Sequence, residues 1–474
     1  MGRRQFDTRI FNHEIPETHE KGSIRVLRFR RIQPPKPFVY LVYFVVPIHA
    51  HPEKLMFKFI HAADVHLDSP LRGLERYEGA PVQKIRDASR IALENLVTLA
   101  IDEKVAFVLI AGDLFDGDWR EFRTGLHFVQ QATKLRDAEI AVYMIAGNHD
   151  AANRMTKSLT LPDNVTLFKS KTAHSVNLES VNVAVHGQSF PTVAVTEDLS
   201  LAYPAAIPGA FNIGLLHTCG NGREGHERYA PCSIEGLILK GYDYWALGHV
   251  HTRETLSEKP FIAFPGNIQG RHIRETGPKG CLVVTVDDAQ DCSVEFRPLD
   301  VVRWEVATID VSNAVSVDDI LALCSTEIER AHRAADGRIL AMRLVITGQT
   351  PLHDTLLAKR HLVTNEIRSI ATDVGTGEVW LEKIGIETVL NRARVANSIV
   401  SDDALGEIVS LFREAAENPT ILANLGVDLS DAIKKLPAEL KDLMHIANSN
   451  WLSSIADEAQ SRLLEVLHGN EVGP

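Results

Sequence analysis

The chain has 474 residues, 45% of them hydrophobic, a formal net charge of −12 and five cysteines. That acidic balance excludes a protein that grips nucleic acid by bulk charge alone, because phosphate neutralisation supplies most non-specific affinity. The odd cysteine count, without C-x-x-C spacing, excludes a disulfide framework and a thiolate zinc site and fits a reducing cytoplasm.

Charge is unevenly spread: residues 1–55 hold 10 basic against 5 acidic residues, and the stretch from Ser401 onward holds 13 acidic against 5 basic. The one long apolar run, Phe38 to Ala50, is about 13 residues, short of the roughly 20 that a membrane-spanning helix needs. No membrane association is expected. Residues 1–55 read as an N-terminal extension, either a disordered leader or an upstream start read in error, with Met56 opening the first domain.

From Met56 to about Asp300, apolar runs of strand length alternate with amphipathic helices. Phe57 to Ala62 is a predicted strand. Val82 to Asp102 is a helix with Ile85, Ala88, Ala92, Leu96 and Leu99 on one face. Val105 to Ala111 is the next strand. A helix after Trp119 runs to about Arg136, with Phe122, Leu126, Val129 and Leu135 expected to turn inward, and Ile140 to Ala146 is the third strand. This alternation implies parallel pairing with right-handed crossovers. The second half is richer in strands: Val181–His186, Asn212–Leu216, Tyr244–Leu247, Phe261–Phe264, Cys281–Val286 and Val294–Arg297. Two packed sheets flanked by helices are expected.

After a break near Pro298, residues 301–395 give strand, helix, strand, helix, strand, a small α/β cap. The predicted elements are Trp304–Asp310, Val317–Ala331, Ile339–Thr347, Thr355–Ile370 and Val379–Ile386. Residues 396–474 read as helical, with Ser401 as N-cap and Leu405, Ile408, Val409 and Phe412 at helical spacing. That stripe fits either an internal core or a docking face.

The chemistry gathers at strand ends, where open α/β sheets place their binding crevice. Asp64 and His66 follow the first strand, Asp113 the second, and Asn148, His149 and Asp150 the third; His217 ends a later strand, and His249 and His251 end the one after it. Any one of these pieces arises often by chance. Five in chain order, each behind an apolar strand, do not. The mixed oxygen and imidazole donors suit manganese, iron or zinc better than calcium or magnesium.

The order D-x-H, G-D, G-N-H-D, H and G-H-x-H resembles the calcineurin-like metallophosphoesterases. The segments Phe59–Pro70, Ala111–Asp116 and Phe264–Gln269 are similar to those of SbcD-type DNA repair exonucleases and their YhaO-like relatives. The resemblance implies a four-layer α/β/β/α core at residues 56–300, the cap, and a helical tail that docks an SbcC-like ATPase partner. It implies that Asp64, His66 and His251 hold one divalent ion, expected to be Mn²⁺, that Asn148, His217 and His249 hold a second, and that Asp113 bridges them. Such a pair acidifies a bridging water for attack at phosphorus. His149 would stabilise the transition state or protonate the leaving oxygen, with Asp150 orienting its ring.

Asp68 and Asp116 flank these motifs and fit either an orienting or a turn role. Arg72, Arg76, Arg253, Arg271, His272 and Arg274 are candidates for phosphate contacts or plain surface charge; the sequence assigns no residue to substrate. The expected function is hydrolysis of DNA phosphodiesters in repair, by a cytoplasmic protein that could pair as a homodimer. A phosphatase or small-molecule phosphodiesterase on the same fold is the alternative, and a non-catalytic scaffold the second.

Overall fold

The computed structural model describes residues 56–69, 79–116, 122–151, 159–220 and 230–390, with scattered residues between 410 and 459. The expectations for residues 1–55, for Arg72 and Arg76, and for Ser401, Leu405, Ile408 and Val409 lie outside the described residues.

The chain opens with β1 (Phe57–Ala62), α1 (Val82–Asp102), β2 (Phe107–Ala111), α2 (Phe122–Asp137), β3 (Ala141–Ile145), the single helical turn α3 (Asn148–Ala151) and β4 (Val165–Leu167). Strands β1, β2, β3 and β4 pair in parallel. Side chains alternate between the faces of these strands, as the two-residue strand period requires. Phe57, Phe59, Phe107, Leu109, Tyr143 and Ile145 point to one side, and Ile60, Val108, Ile110, Val142 and Met144 point to the other, toward the helices.

A second sheet follows from β5 (His174–Leu178), β6 (Val183–Gly187), β7 (Phe211–His217), α4 (Ile234–Leu239), β8 (Tyr244–Gly248), β9 (Glu254–Glu258) and β10 (Phe261–Phe264). Its order is β5-β6-β7-β8-β10-β9. The chain then returns to the first sheet as β11 (Gly280–Val286) and β12 (Cys292–Pro298), giving the order β12-β11-β1-β2-β3-β4. Phe59, Phe107, Phe211 and Tyr244 fill the space between the sheets, while α1 and α2 cover the outside of the first and α4 lies on the outside of the second. This is the expected α/β/β/α layering.

The cap comprises β13 (Val302–Asp310), α5 (Val317–Ala335), β14 (Ile339–Thr350), α6 (His353–Ala358), α7 (Arg360–Gly375) and β15 (Val379–Leu390). Its three strands are parallel in the order β13-β14-β15. Helix α5 begins at a capping box in which the Ser316 hydroxyl accepts from Asp319 N–H and the Asp319 carboxylate accepts from Ser316 N–H, which satisfies two N–H groups that the helix cannot pair internally. The single helix expected over Thr355–Ile370 is two, α6 and α7, separated at Lys359.

Two further expectations fail for physical reasons. Phe122 and Leu126 are about half exposed, and α2 instead buries Thr124, Gly125, Phe128, Gln131, Ala132 and Leu135. Thr124 turns inward because its hydroxyl donates to the Asp68 carboxylate. The edge strands β4, β5 and β9 were not expected, since VTL spans only three residues and HSVNL and ETLSE carry polar residues on both faces and are only partly buried.

Candidate metal centre

Candidate ligands gather where β1, β2, β3, β7 and β8 end. The segment after β1 runs beside the segment after β2: Asp64 N–H donates to Gly112 O (3.1 Å), His66 N–H to Asp113 O (3.0 Å) and Leu67 N–H to Leu114 O (2.9 Å). Asp64, His66, Asp113 and His249 all have positive φ, between 45° and 103°. Non-glycine residues adopt that region at a cost, and such strain collects at functional sites. The glycines beside them are sterically required. A Cβ on Gly112 would lie 2.4 Å from His217 Nδ1, and one on Gly147 would lie 2.3 Å from Asp113 Oδ1.

Three groups of donor atoms result, two of them at the expected ligands and a third made by His66, Asp116 and His149. The ligand atoms of Asp64, His66 and His251 lie within 4.8 Å of one another, as do those of Asp113, His217 and His249. Asn148 Oδ1 joins the second set, 3.0 Å from His217 Nε2. Asp113 Oδ2 stands between the sets, 3.4 Å from His217 Nε2 and 3.9 Å from His66 Nε2.

Ring partners show that this donor set suits cations. His217 Nδ1 must donate to Ala111 O at 2.9 Å, because a carbonyl oxygen only accepts. In the neutral ring, Nε2 then presents a lone pair to Asn148 Oδ1, which is itself an acceptor. At His251, Nδ1 donates to Glu275 Oε1 at 2.7 Å, which in the neutral ring turns the lone pair of Nε2 toward His66 Nε2 at 3.1 Å. Such a gap calls for positive charge, which a proton on His217 supplies in the metal-free protein and which a divalent ion would supply in its place.

The electrostatics agree. Burial works to lower the His217 pKa, but the Asp113 carboxylate, with Asp64 behind it, overrides burial and raises it to about 9. Burial would raise Asp113, and His217 overrides it in the other direction, so this carboxyl is held below its ordinary range. Asp64 is raised, chiefly by burial, and burial lowers His66 to about 4.

His149 is about two-fifths exposed, with Nδ1 2.7 Å from Asp116 Oδ1. The hydrogen bond that its ring donates to Asp116 raises its pKa against the opposing effect of burial. The expectation that Asp150 orients His149 is therefore corrected. Asp150 is buried and accepts from Gly147 N–H (3.1 Å), Leu114 N–H (3.1 Å) and Phe115 N–H (2.9 Å). It ties the loop after β3 to the loop after β2. The reason is local: Asn148–Ala151 is a helical turn, and neighbouring residues on a helix point about 100° apart.

Glu275 gave no sequence signal, since it stands 24 positions from the ring it touches. It is buried beneath His251, and Arg271 lies between it and Asp116, 3.3 Å from the first and 3.4 Å from the second. Of the other candidate phosphate contacts, Arg253 stacks over the Phe296 ring at 4.0 Å, and His272 is half exposed near Glu275. His61 is buried between the sheets, bonded to Tyr244 Oη and Leu247 O, as an ordinary core histidine.

Among known families, the calcineurin-like phosphoesterase profile matches residues 57–253, and the profile of the YhaO metallophosphoesterase middle domain matches residues 304–389. The uncharacterized metallophosphoesterase YhaO of Bacillus subtilis is 36% identical over 297 residues, 62% of this chain and 72% of that protein. The chain belongs to the calcineurin-like metallophosphoesterases. This metallophosphoesterase is also similar to the DNA double-strand break repair protein Mre11 of Saccharolobus solfataricus, at 26% identity over 66% of this chain and 80% of that one. The protein of the same name from Sulfolobus acidocaldarius is 30% identical over 41% of this chain and 50% of its own length. Membership of the family makes the chain a phosphoesterase with a two-metal type of fold. Among the described residues, no helix is long and apolar enough to cross a membrane.

Proposed function

We propose that this metallophosphoesterase is a Mn²⁺-dependent DNA phosphodiesterase acting in repair. The observation that carries this is the placing of Asp113 Oδ2 between two acceptor-rich donor sets, with the His149–Asp116 pair opening to solvent beside them. In this reading Asp64, His66 and His251 hold one ion, Asn148, His217 and His249 the other, and Asp113 both. Two such ions, when bound, acidify water and neutralise charge that develops on a phosphoryl group. His149, kept protonated by Asp116, hands a proton to the leaving oxygen. Asp150 fixes the backbone on which Asp113 and Asn148 stand.

DNA as substrate is supported by the similarity to proteins named for double-strand break repair. The net charge of −12 calls for help in holding a polyanion, which an SbcC-like ATPase partner or a second copy of the chain would give in the cytoplasm. The test is a Mn²⁺-dependent assay of the full chain on single- and double-stranded DNA beside nitrophenyl mono- and diesters. DNA cleavage lost in His149→Ala is the expected result. Turnover of the monoester alone, with DNA left whole, would overturn the substrate assignment and favour a phosphatase.

A further inference from the structure

The loop between β10 and β11, residues 265–279, surrounds His251 from several directions. Gly266 lies against its backbone, close enough that a Cβ would stand 2.9 Å from His251 O. Lys279 Nζ donates to that same carbonyl at 2.9 Å. Glu275 takes the ring: Oε1 accepts from His251 Nδ1 at 2.7 Å, while Oε2 accepts from Asn267 Nδ2 at 3.0 Å and Arg271 N–H at 2.7 Å. One buried carboxylate thus spans a candidate ligand and two points of the loop that carries it.

The same loop is fastened to the cap. Gln269 Oε1 accepts from Val301 N–H at 2.9 Å, and its Nε2 donates to Val302 O at 2.7 Å. Trp304 Nε1 donates to Gly270 O at 3.0 Å, and Gly277 N–H donates to Trp304 O at 2.9 Å. Gly270 leaves no room for a side chain, since a Cβ would lie 2.8 Å from Glu275 O and 2.9 Å from Trp304 Cδ1. Trp304 packs with Trp380, Ala341 and Val302 of the cap against Ile85 and Ala88 of α1. The first strand of the cap and the ring of His251 are therefore two contacts of one short, densely bonded loop.

We propose that Glu275 is a positioning residue that fixes the His251 ring for its ion, and that Trp304 of the cap holds Glu275 in place through this loop. A carboxylate that accepts from the far nitrogen of a ligating imidazole sets its tautomer, its orientation and its basicity, and losing such a partner typically weakens metal binding about 10- to 100-fold. Because the cap supplies the anchor, whatever shifts the cap shifts the affinity for the ion that His251 would hold more than for the other. The proposal rests on the reading of His251 as a metal ligand.

The test is a Mn²⁺ titration of the full chain, followed by calorimetry and by electron paramagnetic resonance, which separates a lone Mn²⁺ from an interacting pair. In Glu275→Gln, one ion should bind as in the natural protein and the second about 10- to 100-fold more weakly, so that a lone-ion signal persists where the natural protein gives the pair. The double variant Glu275→Gln/His251→Gln should be no weaker than His251→Gln alone, since both changes act through one ring. Trp304→Phe, which keeps the packing and loses the bond to Gly270 O, should weaken the same ion several-fold. Unchanged binding in Glu275→Gln, or an equal loss at both ions, would overturn the positioning role. A Trp304→Phe protein that binds both ions normally would overturn the tie to the cap. Failure of the natural protein itself to bind a pair would overturn the underlying reading, a result distinct from either.

Discussion

Asp116 Oδ1 stands 2.7 Å from His149 Nδ1, although the acid next to His149 in sequence is Asp150. The pairing joins the end of β2 to the end of β3 and keeps His149 charged above the ordinary range of an imidazole. An acid catalyst is active in its protonated form, so a raised pKa extends activity toward higher pH. Asp116→Asn should move the alkaline limb of the kcat profile to lower pH and slow turnover about 100-fold on esters with poor leaving groups. Nitrophenyl esters, whose leaving group needs no proton, should be slowed far less. An unmoved alkaline limb would remove Asp116 from this role.

Asp150 has a structural task. Burial, reinforced by the charge of Asp113, pushes its carboxyl up to about 7, while three backbone N–H groups favour the ionised form. Asp150→Ala would leave those three donors buried and unpaired, and urea unfolding of the metal-free protein should show a loss of about 3 kcal/mol or more. Undiminished stability together with lost activity would mean that Asp150 acts in the chemistry instead.

The difference between these two acids marks how far the sequence could be read. The strand ends and the ligands on them were legible because each apolar run closes on a polar motif, and strand alternation then fixes which face each residue takes. Partnerships set by tertiary approach were not: Asp116 reaches His149 across two loops, and Glu275 reaches His251 from a loop with no periodicity. The inward face of α2 was misjudged because large side chains were taken as the buried ones, whereas Gly125 and Ala132 are buried and Thr124 is held in by Asp68. The register of the cap helices failed only at Lys359, where the chain breaks one amphipathic run into two.

Acid should unfold the protein partly through His61. Burial lowers its folded pKa to about 3, against an ordinary 6.5, so the unfolded chain binds more protons between those values and stability falls as pH drops from about 6.5. The slope from this one group is at most about 1.4 kcal/mol per pH unit. His66, lowered to about 4 by burial, adds a slope of the same sign. His61→Phe, whatever its own stability, should flatten the acid limb by about one proton in denaturant titrations at pH 4.5 to 6.5. An unaltered slope would show that His61 is not buried neutral.

Metal binding should be linked to pH in the opposite region. In the metal-free protein Asp113 raises His217 to about 9 against the effect of burial, so below that pH an incoming ion must displace a proton. Mn²⁺ affinity should rise with pH up to about 9, and calorimetry in buffers of different ionisation enthalpy should register proton release at pH 7.5. Proton-neutral binding at that pH would contradict the assignment of His217 as a ligand.

Whether two donor sets share Asp113 can be read from equilibrium dialysis against Mn²⁺ followed by metal analysis. Two ions per chain are expected for the natural protein, with loss of tight binding at both positions in Asp113→Ala. Fewer than one ion per chain at saturating Mn²⁺, or an Asp113→Ala protein that still binds two, would contradict that sharing.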